Sequence, residues 1–189
     1  MTVGEIFSKI AIHMVEGMML HDQMADYYDF LGLMGFKRMH EYHFLREAAD
    51  MRGISRYYLN HYNYLVPPQS AKDPGVIPSG WYKYHRKDVD TSTKRQAIRT
   101  GMEKWCAWEE STKKMYQDSY SKLCDMGEIA AACKVKELIS GVDMELKCAD
   151  RLHIKLQSVD YDLCTIFLMQ DEMHEAYREK EKGIGVCIC

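Results

Sequence analysis

His40-Glu41-Tyr42-His43-Phe44-Leu45-Arg46-Glu47-Ala48-Ala49-Asp50 contains neither proline nor glycine and reads as helix. His40, His43, Glu47 and Asp50 fall at i, i+3, i+7 and i+10, so four metal ligands or proton carriers share one side of it. Phe44, Met51, Tyr58 and Leu65 recur every seven residues, with Ile54 beside them, and mark the apolar face. That register points Glu47 inward and leaves His43 and Asp50 at the edge of the face. A buried carboxylate without a partner costs several kcal/mol, so other parts of the chain must supply a partner or a metal ion.

The preceding segment, about Val3 to Leu33, carries Phe7, Met14, His21 and Tyr28 at heptad spacing. Ile10, Gly17, Met24 and Leu31 form a second row offset by three. Two such rows make a bundle seam, with His21 in it. Gly32 and Gly35 end this helix, and the short link predicts an antiparallel hairpin with the next, about Phe36 to Leu65. Residues 66–90 hold all four prolines and form a long connector, pinned by Trp81, Tyr82 and Tyr84. A third helix runs from a cap at Thr91 or Ser92 to about Asp125, with Glu109 on its inner stripe between Trp105 and Thr112. Gly127 breaks the chain. A fourth helix, about Glu128 to Gln157, has a stripe of Val135, Ile139, Val142, Leu146, Ala149 and Leu156 with Glu145 along one edge. Ser158 caps a short fifth helix to about Lys182, whose Asp171 and His174 belong to a solvated face.

Helix rise tests whether the inward polar residues meet. His21 lies about 13 residues before the first turn and Glu47 about 13 after it, so at ~1.5 Å per residue both stand roughly 20 Å from that end. Glu109 and Glu145 lie about 17 and 18 residues from the second turn, roughly 26 Å. The two depths sum to the length of a bundle of about 45 Å when the hairpins point in opposite directions. A connector of about 25 residues reaches about 80 Å and can cross that length. The expectation is an all-α domain over residues 1–182, with 66–90 as crossover and 183–189 as a flexible tail.

Composition sets bounds. Net charge is −3 and no basic block occurs, which argues against a dedicated nucleic-acid protein despite the Trp81–Arg86 run. No apolar run is long enough for a membrane span and no signal peptide opens the chain, so a cytoplasmic location is expected. Seven cysteines, without a zinc-type Cys-x-x-Cys pair, read as reduced thiols. The final Cys187-Ile188-Cys189 resembles a double prenylation signal, but nothing upstream supports that; a metal-scavenging or disordered tail fits better. No phosphate-binding glycine loop, Gly-x-Ser-x-Gly or His-Glu-x-x-His is present.

Asp22-Gln23-Met24-Ala25-Asp26-Tyr27-Tyr28 resembles the first-helix motif of the ferritin-like superfamily. Arg46-Glu47-Ala48-Ala49-Asp50 resembles its second-helix Glu-x-x-His, with Asp50 in place of the histidine. Glu109-Glu110 to Lys122-Leu123 resembles the third helix with its single metal-binding Glu, and Val135 to Glu145 the fourth. The resemblance covers about residues 5–157 and implies a ferritin-like four-helix bundle of two antiparallel hairpins, with a long crossover and a short C-terminal helix. It implies iron or manganese at a mid-bundle site drawn from His21, Asp22, Glu47, Asp50, Glu109, Glu110, Asp143 and Glu145, with ferroxidase-type activity and a homo-oligomer. Motif spacing selects Asp22 and Glu110, whereas periodicity selects His21 and Glu109. The fourth helix lacks Glu-x-x-His and offers Asp143, Met144 and Glu145 instead. The chain is also similar to uncharacterised ferritin-like proteins of bacteriophages. That leaves the alternative of a non-catalytic scaffold that binds or inhibits another protein.

Overall fold

The computed structural model describes residues 1–67, 70–77 and 85–184. Its helices are α1 (Val3–Phe30), α2 (Met34–Tyr62), α3 (Thr91–Asp125), α4 (Ile129–Ser158) and α5 (Leu163–Ile184), with one 3-10 turn at Arg86–Asp88. No described helix is long and apolar enough to cross a membrane.

Local chemistry sets the boundaries. Thr2 and Glu5 form a reciprocal capping box at the start of α1. Gly32, at φ +78°, closes the first hairpin, and Gly127, at φ +76°, the second; both turns need a left-handed residue. α2 ends at left-handed Asn63, so Leu65 lies beyond it and is 79% exposed rather than in the core. Asp90, not Thr91 or Ser92, caps α3 by accepting from Thr93 N at 2.7 Å. Ser158 does not cap α5, because its hydroxyl donates back to Lys155 O; Asp162 accepts from Thr165 N instead.

The hairpins point in opposite directions, as helix rise predicts. The first turn, with Leu31, Leu33 and Phe36, packs with the start of α3 (Ala97, Ile98) and the end of α4 (Leu156). The start of α1 (Ile6, Phe7), the end of α2 (Tyr58) and the second turn (Leu123, Ala131) pack at the opposite end. The connector follows α1 between these ends. Ser8 Oγ donates to Pro67 O, Lys72 N to Glu16 Oε1, Val76 N to Gln23 Oε1, and Arg86 Nη2 to Asp29 Oδ1. α1 thus partners the connector backbone at Pro67, Lys72 and Val76 and its side chain at Arg86. Trp81, Tyr82 and Tyr84 fall outside the described residues, as do Cys187 and Cys189; among the described residues of the connector, Val76 and Val89 are buried.

The inner face of α2 runs through Phe36, Met39, His40, His43, Glu47, Ile54 and Tyr58. Phe44, expected inside, is only half-buried and lines an outer groove with Asp22, Ala25, Arg38, Glu41 and Leu45. The face is therefore rotated toward both histidines. α5 lies against α2 at Gly35, whose N–H donates to Gln170 Oε1 at 3.2 Å.

Two glycines of α2 should respond to alanine with opposite signs. At Gly35 a Cβ would stand 2.6 Å from the backbone oxygen of Gln170, so Gly35→Ala must displace α5 and should lose about 1–3 kcal/mol. Gly53 has open space around it, and Gly53→Ala should gain about 0.5–1 kcal/mol. Denaturant unfolding of both variants measures this; equal effects would contradict the docking of α5 on α2.

Candidate metal centre

The apolar interior is divided between the two ends of the bundle, and a polar layer lies between them. α1 contributes His21, α2 contributes His40, His43, Arg46 and Glu47, α3 contributes Trp105, Glu109 and Tyr116, and α4 contributes Glu145. His21, His40 and Glu109 are wholly excluded from solvent. These groups stand at one level because the hairpins oppose each other.

His21 Nδ1 meets His40 Nδ1 at 2.9 Å, so one ring carries the proton between them. The ring centroid of His43 is 5.2 Å from that of His21, and the Trp105 ring meets all three imidazoles edge-on. Trp105 Nε1 donates to Glu109 Oε1 at 2.9 Å, and His21 Nε2 lies 3.9 Å from the same oxygen. Glu145 Oε1 takes an ion pair from Arg46 Nη1 at 2.7 Å, with His43 Nδ1 at 3.9 Å. Glu47 lies over Gly17, where a Cβ would come within 3.1 Å of its carboxyl carbon. At Gly101 a Cβ would collide with the Tyr28 hydroxyl, and the Tyr28 ring stacks on His40 at 5.3 Å. A small cavity of about 20 Å³, room for about one water, opens beside Arg46, Glu47, Asp50, Thr112, Tyr116 and Glu145.

Burial disfavours charge on the imidazoles and carboxyls of the layer. It lowers the His21 pKa to about 3, and it holds His40 and His43 well below the usual imidazole range, with neighbouring histidines adding to the effect. Burial, then the Glu145 charge, pushes Glu109 up to about 8, against the pull of Trp105 and Arg46. Burial raises Glu145 to about 7 and Glu47 well above the carboxylate range. Several ligand-type atoms are buried without a hydrogen-bond partner: His21 Nε2, His40 Nε2, both nitrogens of His43, and Glu109 Oε2.

Of the residues expected at a metal site, His21, Glu47, Glu109 and Glu145 come together. Asp50 is exposed at the cavity mouth. Asp22 and Glu110 are exposed on the outside, and Asp143 pairs with Lys113 at 2.7 Å. Periodicity therefore located the inward residue of each disputed pair. His43, taken as an edge residue, and His40 belong to the layer; their spacing from Glu47 was the signal. Nothing in the sequence marked Gly17 and Trp105 as partners of the two acids. Among the described residues, no three His, Cys, Asp or Glu side chains stand close enough to enclose one ion as placed.

The chain superimposes on the open-pore ferritin of the hyperthermophilic archaeon Archaeoglobus fulgidus with a TM-score of 0.75, covering 91% of this chain and 94% of that one. The fold is that of the ferritins. A closed form of the Archaeoglobus fulgidus ferritin made by site-directed mutagenesis and a humanized archaeal ferritin superimpose equally well, each at 14% identity. No family model and no curated protein matches the sequence. At that identity the likeness speaks for the fold alone.

Burial makes the stability of the metal-free protein depend on pH. Glu109 titrates at 4.5 when unfolded and at about 8 when folded, so its contribution is complete below 4.5 and is lost as pH rises through 8. His21 titrates at 6.5 unfolded and about 3 folded, so its contribution is complete above 6.5 and is lost as pH falls toward 3. Above 6.5 only the carboxyl effect operates. The unfolding free energy should therefore fall between pH 6.5 and 8, by on the order of 2 kcal/mol from Glu109 alone, and the melting temperature should fall with it. Glu109→Gln, a permanently neutral amide, should flatten the fall; a level profile in the parent would contradict the buried acid.

Proposed function

We propose that the chain binds a divalent first-row metal ion, Fe(II) or Mn(II), in the mid-bundle layer. The observation that carries this reading is the set of buried donor atoms without partners. Folded proteins pair nearly all buried polar atoms, and orphans of this kind mark an ion or a water. His21 Nε2, His43 and Glu109 Oε2 are such orphans in one layer. Imidazole and carboxylate are the donor types that suit iron and manganese. Donors on one ion with bonds of about 2.1 Å stand no more than ~4.2 Å apart, and the 3.9 Å between His21 Nε2 and Glu109 Oε1 lies within that span. His43, Glu145 and Glu47 are the groups from which the remaining donors come, by rotation of side chains already in the layer.

A bound ion would supply one-electron redox chemistry of the ferroxidase kind. The chain's own part is to bind it, to exclude water through Trp105 and Tyr28, and to surrender carboxyl protons when the ligands ionise. A second reading, a metal-free polar layer in a scaffold that binds another macromolecule, is favoured by one observation. Arg46 already pairs with Glu145 Oε1, and Trp105 already donates to Glu109 Oε1.

His43→Phe separates the two. Neither His43 nitrogen makes a hydrogen bond, so without metal the variant should melt at or above the parent temperature. Added Fe(II) or Mn(II) should raise the melting temperature of the parent under anaerobic conditions and leave the variant unchanged. A parent indifferent to both ions rules out the metal reading and leaves the scaffold.

A further inference from the structure

We propose that the second half of α5, from Asp171 to Lys180, is a strap that opens while the bundle stays folded, and that solutes larger than water reach His43 beneath it. Its opening does not require that an ion bind in the layer.

α5 runs beside α2 in the same direction. Gln170 Oε1 accepts from Gly35 N, and seven residues further along both helices the Tyr177 ring lies 5.5 Å from that of Tyr42. The Tyr177 ring is also 6.2 Å from the His43 ring, and it stands within electrostatic reach of Glu145 and Cys148 of α4. Tyr177 therefore covers the seam between α2 and α4. Beneath it His43 is buried, and neither of its nitrogens has a hydrogen-bond partner. Lys180 lies over the Tyr177 ring at 4.4 Å and over the Tyr42 ring at 5.8 Å. The small cavity beside Arg46 and Asp50 has room for about one water, so a larger molecule does not pass there.

The two halves of α5 are held differently. In the first, Leu163, Ile166 and Gln170 are buried, and Asp162 accepts from the N–H and the hydroxyl of Thr165. In the second, Met173, His174 and Tyr177 are half-buried, and the other residues as far as Lys180 are exposed. The ion pairs of Glu175 with His174 and Arg178 are internal to α5, so they do not hold it to α2 or α4. Local opening costs least where few apolar groups are buried. The second half of α5 thus lifts at a lower free energy than the bundle unfolds, with Gln170 as its fixed end.

The test uses diethyl pyrocarbonate, an electrophile that acylates neutral imidazole. Initial rates at each histidine of the whole chain are read by tandem mass spectrometry of peptides, with exposed His61 as reference. His43 should react well before His21 and His40, which have no solvent exposure and are uncovered only when the bundle unfolds. Tyr177→Ala should speed His43 by at least about tenfold and leave His21 and His40 slow. Gly35→Ala, which displaces α5, should act in the same direction. Gly53→Ala, which has open space and lies away from α5, should leave the His43 rate as in the parent. Should Tyr177→Ala not fold, Lys180→Gln takes its place, with a smaller acceleration. His43 reacting in step with His21 and His40, or slowed by Gly53→Ala, overturns the strap, because unfolding of the whole bundle then uncovers it. A folded Tyr177→Ala protein with an unchanged His43 rate overturns the role of Tyr177 as its cover.

Discussion

A carboxyl group wholly removed from water in the middle of a helical bundle is the constraint around which this molecule is arranged. Glu109 has no solvent exposure, and an unpaired polar group there would cost several kcal/mol. Trp105, one turn earlier on the same helix, answers one of its oxygens. That bond fixes the indole, and the indole edge in turn sets the three imidazoles of His21, His40 and His43 around it. Tyr28 stacks on His40 from the side of the first turn, and it fits only because α3 carries Gly101 opposite its hydroxyl. The polar layer and its apolar neighbours are thus one packing problem, solved by large rings placed against glycines.

The layer also explains why the topology matters. His21 and Glu47 are equidistant from the first turn, and Glu109 and Glu145 are equidistant from the second. Either hairpin alone would bring its own pair level. Only opposed hairpins bring the pairs to each other, and opposed hairpins require a connector as long as the bundle. The connector is held to α1 by Glu16, Gln23 and Asp29 at successive levels, the first two accepting from the backbone of Lys72 and Val76 and the third from the Arg86 side chain. Proline fits a strand whose partners are side chains rather than a ladder.

Helical periodicity made most of this legible. His21, Glu47 and Glu109 were placed inward from spacing alone, and the depth argument gave the direction of both hairpins. Spacing failed where a helix face was wide or its anchors were misread. Leu65 was counted in the α2 stripe, yet the helix stops at Asn63, and losing that anchor rotates the face from Phe44 toward His40 and His43. Motif resemblance failed differently. Asp22 and Glu110 each sit next to the inward residue, and a neighbour in sequence is about 100° away on a helix. Local resemblance could not separate them, whereas burial does. The partners that decide the chemistry of the layer, Gly17 under Glu47 and Arg46 on Glu145, were invisible because they act across helices, where single-helix periodicity carries no information.

A buried polar layer of this kind is a costly way to hold a bundle together. Well-packed apolar residues of similar volume would hold α1, α2, α3 and α4 at least as firmly, since replacing buried ionic groups by such residues is often neutral or stabilising. The imidazoles are held uncharged, Glu109 is held protonated at neutral pH and burial pushes Glu47 the same way, so without an ion the layer gives up charge–charge attraction there and still leaves donors unpaired. A bound ion would offset these costs: the neutral imidazoles have lone pairs to offer, and the carboxyls would ionise as ligands. The Arg46–Glu145 pair is already compensated within the chain, with His43 Nδ1 3.9 Å from the shared oxygen. The layer is thus uneven in its chemistry: one oxygen of Glu145 is paired with Arg46 and one of Glu109 with Trp105, while nitrogens of all three imidazoles and the other oxygen of Glu109 are unpaired.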